Sequence, residues 1–145
     1  MKTLNFVKIC LLCVVTMGLA SCGDDIYYTM QNSDEKLCNK VWMEKYQNES
    51  NELCEHRLEF KKVRQNNKDV FSGKETTIIY KTGTTETVSK DFTWKWIDNT
   101  MEGLILSYGA GDVMYFQNVW VREHYLSGKL DGRMMVLTDL SEAIR

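Results

Sequence analysis

The chain has 145 residues, a formal net charge of −2 and 26% charged residues. That is one ordinary domain's worth of chain, and the acidic balance excludes nucleic acid as the main partner, since phosphate binding needs a basic field. Proline is absent and 43% of residues are hydrophobic, which excludes a Pro-rich linker and a disordered polymer.

The first segment has the features of an export signal. Lys2 and Lys8 give a positive start, and Ile9 to Leu19 is an uncharged apolar core too short to span a membrane as a helix. It ends in Leu19-Ala20-Ser21-Cys22, which resembles the bacterial lipobox. That resemblance implies a signal peptide over residues 1–21, cleavage before Cys22, and lipidation of Cys22. Gly23 after the cysteine resembles outer-membrane sorting signals. Cys-Gly-Asp-Asp starts are familiar in lipoproteins of Bacteroidetes, where acids after the cysteine mark surface export. The expected location is therefore the outer membrane, lipid-anchored on its periplasmic face or at the cell surface. Cleavage removes two lysines and no acids, taking the charge from −2 to −4.

Residues 22–36 are expected to be a lipidated N-terminus and flexible tether, polar apart from Ile26, Tyr27 and Tyr28. Ser33 is placed to cap a short helical turn reaching Cys38. Cys10 and Cys13 leave with the signal and Cys22 is consumed by lipid. Cys38 and Cys54 then remain as an even pair in an oxidising compartment, and the leading expectation is a disulfide closing a loop of about 17 residues. The alternative is two buried thiols acting as small hydrophobes.

From Val41 onward, period-2 patterning predicts eight strands: 41–46, 53–63, 70–80, 87–97, 101–108, 113–122, 125–129 and 133–138. On the second, Cys54, His56, Leu58 and Phe60 share a face. Gly73 is a candidate bulge. On the fourth, Phe92, Trp94 and Trp96 share a face; on the sixth, Met114, Phe116 and Trp120 are expected to do so. Asn48 to Asn51, Asn66 to Asp69, Thr82 to Thr84, Asp98-Asn99, Gly109 to Asp112 and Asp131-Gly132 are turns by composition. Ser141 to Arg145 is a polar tail. The pattern predicts an all-β antiparallel barrel or sandwich.

The stretches Leu37-Cys38-Asn39-Lys40-Val41-Trp42, Phe92 to Trp96, Leu104 to Gly109, Tyr115 to Val119 and Tyr125-Leu126-Ser127-Gly128 resemble the small lipocalin-like lipoproteins of gut Bacteroidetes. The resemblance implies an up-and-down, lipocalin-like β-barrel of about eight strands over residues 37–140, with a possible apolar cavity. Lys40 stands where true lipocalins carry glycine, so no ligand is carried over. If the barrel is open, its ligand contacts come from Trp42, Phe92, Trp94, Trp96, Phe116 and Trp120, of which the pleat lets only part face inward.

No motif for chemistry stands beside these. His56 and His124 lack metal spacing, and Glu123 and His124 alternate to opposite faces of a strand. Asp98, Asp112 and Asp131 fall in turns, Gly109 to Asp112 lacks a phosphate-loop lysine, and Ser72, Ser107 and Ser127 lie in no nucleophile elbow. The expectation is non-catalytic binding of a small hydrophobic ligand, with no metal, cofactor or catalytic residue. The alternative is a filled barrel acting as an interaction module for an envelope protein.

Overall fold

The computed structural model describes residues 30–143; the expected signal peptide, Cys22 and the tether up to Thr29 lie outside the described residues. Eight antiparallel strands follow one another around a closed barrel: β1 (Val41–Gln47), β2 (Leu53–Gln65), β3 (Lys68–Lys81), β4 (Thr84–Trp96), β5 (Gly103–Gly109), β6 (Asp112–Val121), β7 (Tyr125–Leu130) and β8 (Arg133–Asp139). Closure is by β1 on β8, where Trp42 opposes Asp139 and Met43 opposes Thr138. Two helical turns, α1 (Asp34–Leu37) and α2 (Leu140–Ala143), flank the strands, so the stretch expected as a polar tail begins inside a helix. Among the described residues, no helix is long and apolar enough to cross a membrane.

Local chemistry explains the elements. The β7–β8 turn places Asp131 and Gly132 at φ 45° and 87°, and the β2–β3 turn places Asn66 and Asn67 at φ 48° and 59°. Left-handed conformations at both central residues match the right-handed twist of the flanking strands, and Asn, Asp and Gly tolerate them best. The tight Asn-Asn turn lets β3 start at Lys68, earlier than composition suggests.

Alternation then fills the interior. Trp42, Leu58, Phe60, Phe92, Trp94, Leu104, Leu106, Phe116, Leu126 and Leu137 are buried in one cluster. The rings meet edge to face: Phe60 lies 5.5 Å from Phe92 and 5.7 Å from Trp94, centroid to centroid, the arrangement favoured by ring quadrupoles. Trp94 Nε1 donates to the Ser72 carbonyl at 3.0 Å, and Trp42 Nε1 to the Leu37 carbonyl at 2.9 Å, so neither indole N–H is left unpaired in the core.

Gly73 is not a bulge. Its register runs unbroken, opposite Phe60 on β2 and Phe92 on β4. A side chain is missing because a Cβ would lie 2.3 Å from the Phe92 ring and 2.5 Å from the Glu59 carbonyl oxygen. Irregularities fall instead on β5, between Ser107 and Gly109, and on β6. The register shifts between Gln117 and Trp120, with Asn118 at φ 51°. One inserted residue reverses the phase of the pleat. Val119 and Val121 therefore turn inward, and Trp120 turns out to solvent, 49% exposed. The expected stripe of Met114, Phe116 and Trp120 is broken by that insertion.

One end of the barrel is plugged by the N-terminal segment. The compact unit begins at Asn32, so residues 32–36, which composition assigned to the tether, belong to the fold. Asn32 Nδ2 donates to the carbonyls of Met101 and Val119 at 2.7 and 2.6 Å, and its Oδ1 accepts from Val121 N at 2.8 Å. Ser33 Oγ caps α1 by accepting from Lys36 N. Leu37 is fully buried, and Asp34 accepts from Trp96 Nε1 at 2.7 Å and from Lys62 at 2.8 Å.

The expected disulfide is not present: Cys38 and Cys54 are both free and buried. Asn39 N donates to the Phe60 carbonyl, which places Cys38 near Phe60, whereas Cys54 lies six residues away along β2. Six residues of strand span about 20 Å, and a disulfide needs Cα atoms within about 7 Å. Burial, reinforced by Asp34, pushes the Cys38 thiol up to about 11, so it packs as a protonated hydrophobe and not as a nucleophile.

Candidate functional site

The connections β1–β2, β3–β4, β5–β6 and β7–β8 lie at the end opposite the plug, and here the inward positions turn polar. On β1 they are Glu44 and Tyr46, on β2 Cys54 and His56, on β3 Glu75 and Thr77; the register places Glu44 opposite His56 and His56 opposite Thr77. Met114 from β6 and Arg133 and Met135 from β8 close the other side. Tyr46, His56, Glu75, Thr77, Met114, Arg133 and Met135, with Leu130 and Asp131 of the β7–β8 hairpin, line a recess of about 400 Å³ at the barrel mouth, within the range of small-ligand sites.

His56 is the centre of this recess. Only 5% of the residue is exposed. Its Nε2 lies 2.6 Å from Glu75 Oε1, and its Nδ1 lies 3.6 Å from Glu44 Oε1. The first contact is a full hydrogen bond and the second is too long to be one, so Nδ1 is buried without a hydrogen-bond partner. Such a group costs on the order of 1–3 kcal/mol unless something pairs with it. Glu44 is itself engaged by Arg133.

Glu75 is held as a carboxylate. Burial alone would raise its pKa, but the His56 hydrogen bond, the Tyr108 phenol and the charge of Lys90 outweigh that and hold it below the ordinary value of 4.5. Burial and the Glu75 charge push the Tyr108 phenol far above its ordinary value, and its hydroxyl makes no well-formed hydrogen bond. Since the folded pKa of Glu75 lies below the unfolded one, its contribution to stability is complete above pH 4.5 and disappears as pH falls through the folded value. Urea midpoints measured from neutral pH down into the acid range should fall more steeply for the wild type than for Glu75→Gln; parallel curves would show that the carboxylate is not coupled to the fold.

The six aromatic residues expected to contact a ligand are scattered. Trp42, Phe92, Trp94 and Phe116 are packed in the core. Trp96 is half-buried at the plugged end, tied to Asp34. Trp120 is outside, beneath the Arg122 guanidinium at 4.6 Å. None of the six lines the mouth recess. Phe92 alone contributes to a second recess of about 530 Å³, where β5 leaves β4; its other walls include the surface side chains Lys61, Lys74 and Asp91. The mouth recess is the better candidate because buried, unpaired and ionisable groups converge there. His56 was legible as an inward residue from the alternation of β2. Glu75, Tyr46 and Arg133 were not, because each is polar within a partly solvated strand.

Among the described residues, no group of three or more His, Cys, Asp or Glu side chains is arranged to hold a metal ion. No protein-family model, curated protein or solved structure matches the chain.

Proposed function

We propose that the protein is a lipid-anchored protein of the outer membrane that binds a small molecule, without catalysis, in the mouth of its barrel. The observation that carries the reading is the recess of about 400 Å³ around His56, whose buried Nδ1 lacks a hydrogen-bond partner. A ligand with a hydrogen-bonding head completes that group, and an apolar body packs on Met114, Leu130 and Met135. This shifts the ligand class from purely hydrophobic to amphiphilic. Binding is favoured over chemistry because the charged groups are already paired, Glu75 with His56 and Glu44 with Arg133.

Anchoring rests on the resemblance of Leu19 to Cys22 to a lipobox. Cys22→Ala should move the protein from the membrane fraction to the soluble fraction; a variant still membrane-bound would contradict the anchor. Native mass spectrometry of the wild-type protein, purified gently from its own cells, should find a small-molecule adduct that denaturation removes. The packed aromatic core supports a second reading, an interaction module with a filled barrel, and a bare polypeptide mass would favour it.

A further inference from the structure

Beyond ligand binding, the barrel carries a free sheet edge. β4 pairs with β5 only over Thr93 to Trp96. The eight residues ahead of Phe92, Thr84 to Asp91, pair with β3 on one side, have no strand on the other among the described residues, and are all exposed. Free edges are usually kept short, bulged, broken by proline or guarded by charges, and here the guarding charges are Glu86, Lys90 and Asp91. This one is long and regular, contains no proline, and is rich in the β-formers Thr84, Thr85, Thr87 and Val88.

We propose that this edge pairs antiparallel with the same edge of a second copy, about a twofold axis at Val88. Charge pattern selects both the partner and the register. Glu86, Val88 and Lys90 share one face of the strand, since side chains alternate. Centring the pair on Val88 sets Glu86 opposite Lys90 of the second copy, and Lys90 opposite its Glu86, with Val88 against Val88 and Thr87 against Ser89. Centring on Thr87 or Ser89 separates both ion pairs. Centring on Glu86 or Lys90 brings like charges together, which disfavours those registers. Lys81, which already holds Glu86 at 2.6 Å, extends each pair into a three-charge network. Glu86 is already held by Lys81 and Lys90 lies over the Tyr108 ring at 5.8 Å; a second copy adds a further complementary charge to each by symmetry, which an unrelated strand does not. The result is one continuous sheet running from β1 through β4 into β4 to β1 of the partner, an edge-addition mode of recognition.

The test is oxidative crosslinking of the full-length protein in its own membranes. Val88→Cys places the new thiol on the axis beside its symmetry mate and should give a covalent dimer on a non-reducing gel. Thr84→Cys is equally exposed but lies about eight strand residues from its mate, roughly 26 Å, and should stay monomeric. In the Val88→Cys background, Glu86→Lys or Lys90→Glu alone should cut the crosslinking yield at least roughly tenfold, and the two together should restore it. A monomeric Val88→Cys protein, equal crosslinking at positions 84 and 88, or a crosslink to a different protein would each overturn the proposal.

Discussion

Asn32→Ala is expected to lower the free energy of unfolding by about 3–5 kcal/mol, an effect out of proportion to its place ahead of the first strand. The side chain makes three hydrogen bonds to backbone groups of Met101, Val119 and Val121. Two of these anchor points lie on the phase-shifted end of β6, and the third on the β4–β5 connection. Removing the amide leaves two carbonyls and one N–H without a partner in a site where Asn32 itself is only 7% exposed. Each such group costs on the order of 1–3 kcal/mol, and water entering the gap recovers part of the loss. Glu35→Ala, one turn along and exposed, is the control, expected within about 0.5 kcal/mol of wild type. Urea denaturation decides the matter. A loss below about 1 kcal/mol for Asn32→Ala would mean that the plug is not part of the cooperative unit.

Gly73→Ala is expected to be comparably damaging, at about 3 kcal/mol, although it adds one methyl group. That methyl meets two obstacles at once. The Phe92 ring at 2.3 Å is held between Phe60 and Tyr108, and the Glu59 carbonyl at 2.5 Å belongs to the neighbouring strand. A flexible side-chain tip could move aside, but a packed ring and a backbone oxygen cannot do so cheaply. Adding Phe92→Leu to Gly73→Ala should relieve the first clash and leave the second, so the double variant should recover part of the loss and not all of it. Full tolerance of Gly73→Ala in the same urea titration would contradict the close approach of β4 to β3.

The barrel was legible because its signals are local. Alternation set the strands, and paired left-handed turn residues such as Asp131-Gly132 set the hairpins. What escaped the sequence depends on relations between distant positions. The bulge at Asn118 inverts everything after it on β6, and no period-2 count over Met114, Phe116 and Trp120 reveals one inserted residue. Asn32 looks like tether because it is polar, and becomes structural only when Met101 and Val121 are brought to it across 69 and 89 residues of sequence. The cysteine pair failed for a geometric reason: their number suggests pairing, but Cys38 follows the plug and Cys54 begins β2, at opposite ends of the barrel.

The candidate site was half legible in the same sense. The aromatic residues are conspicuous in the sequence, and the fold uses four of the six as core. The groups that converge at the mouth are ordinary in the sequence. His56 shares an inward face with Leu58 and Phe60, yet its partners Glu75 and Glu44 come from two other strands. Register alone brings them together: Glu44 opposite His56, and Glu75 one step round the barrel opposite Leu58.

The central claim is that binding occurs in this mouth recess and not among the buried rings. The most direct measurement compares the small-molecule adduct of wild type and Thr77→Trp by native mass spectrometry, both purified from the protein's own cells. Thr77 lines the recess and is only half-buried, so an indole there fills the space without entering the core. The adduct is expected on the wild type and absent from a folded Thr77→Trp protein. An adduct that survives in Thr77→Trp, or a wild-type protein that carries none, would contradict the account.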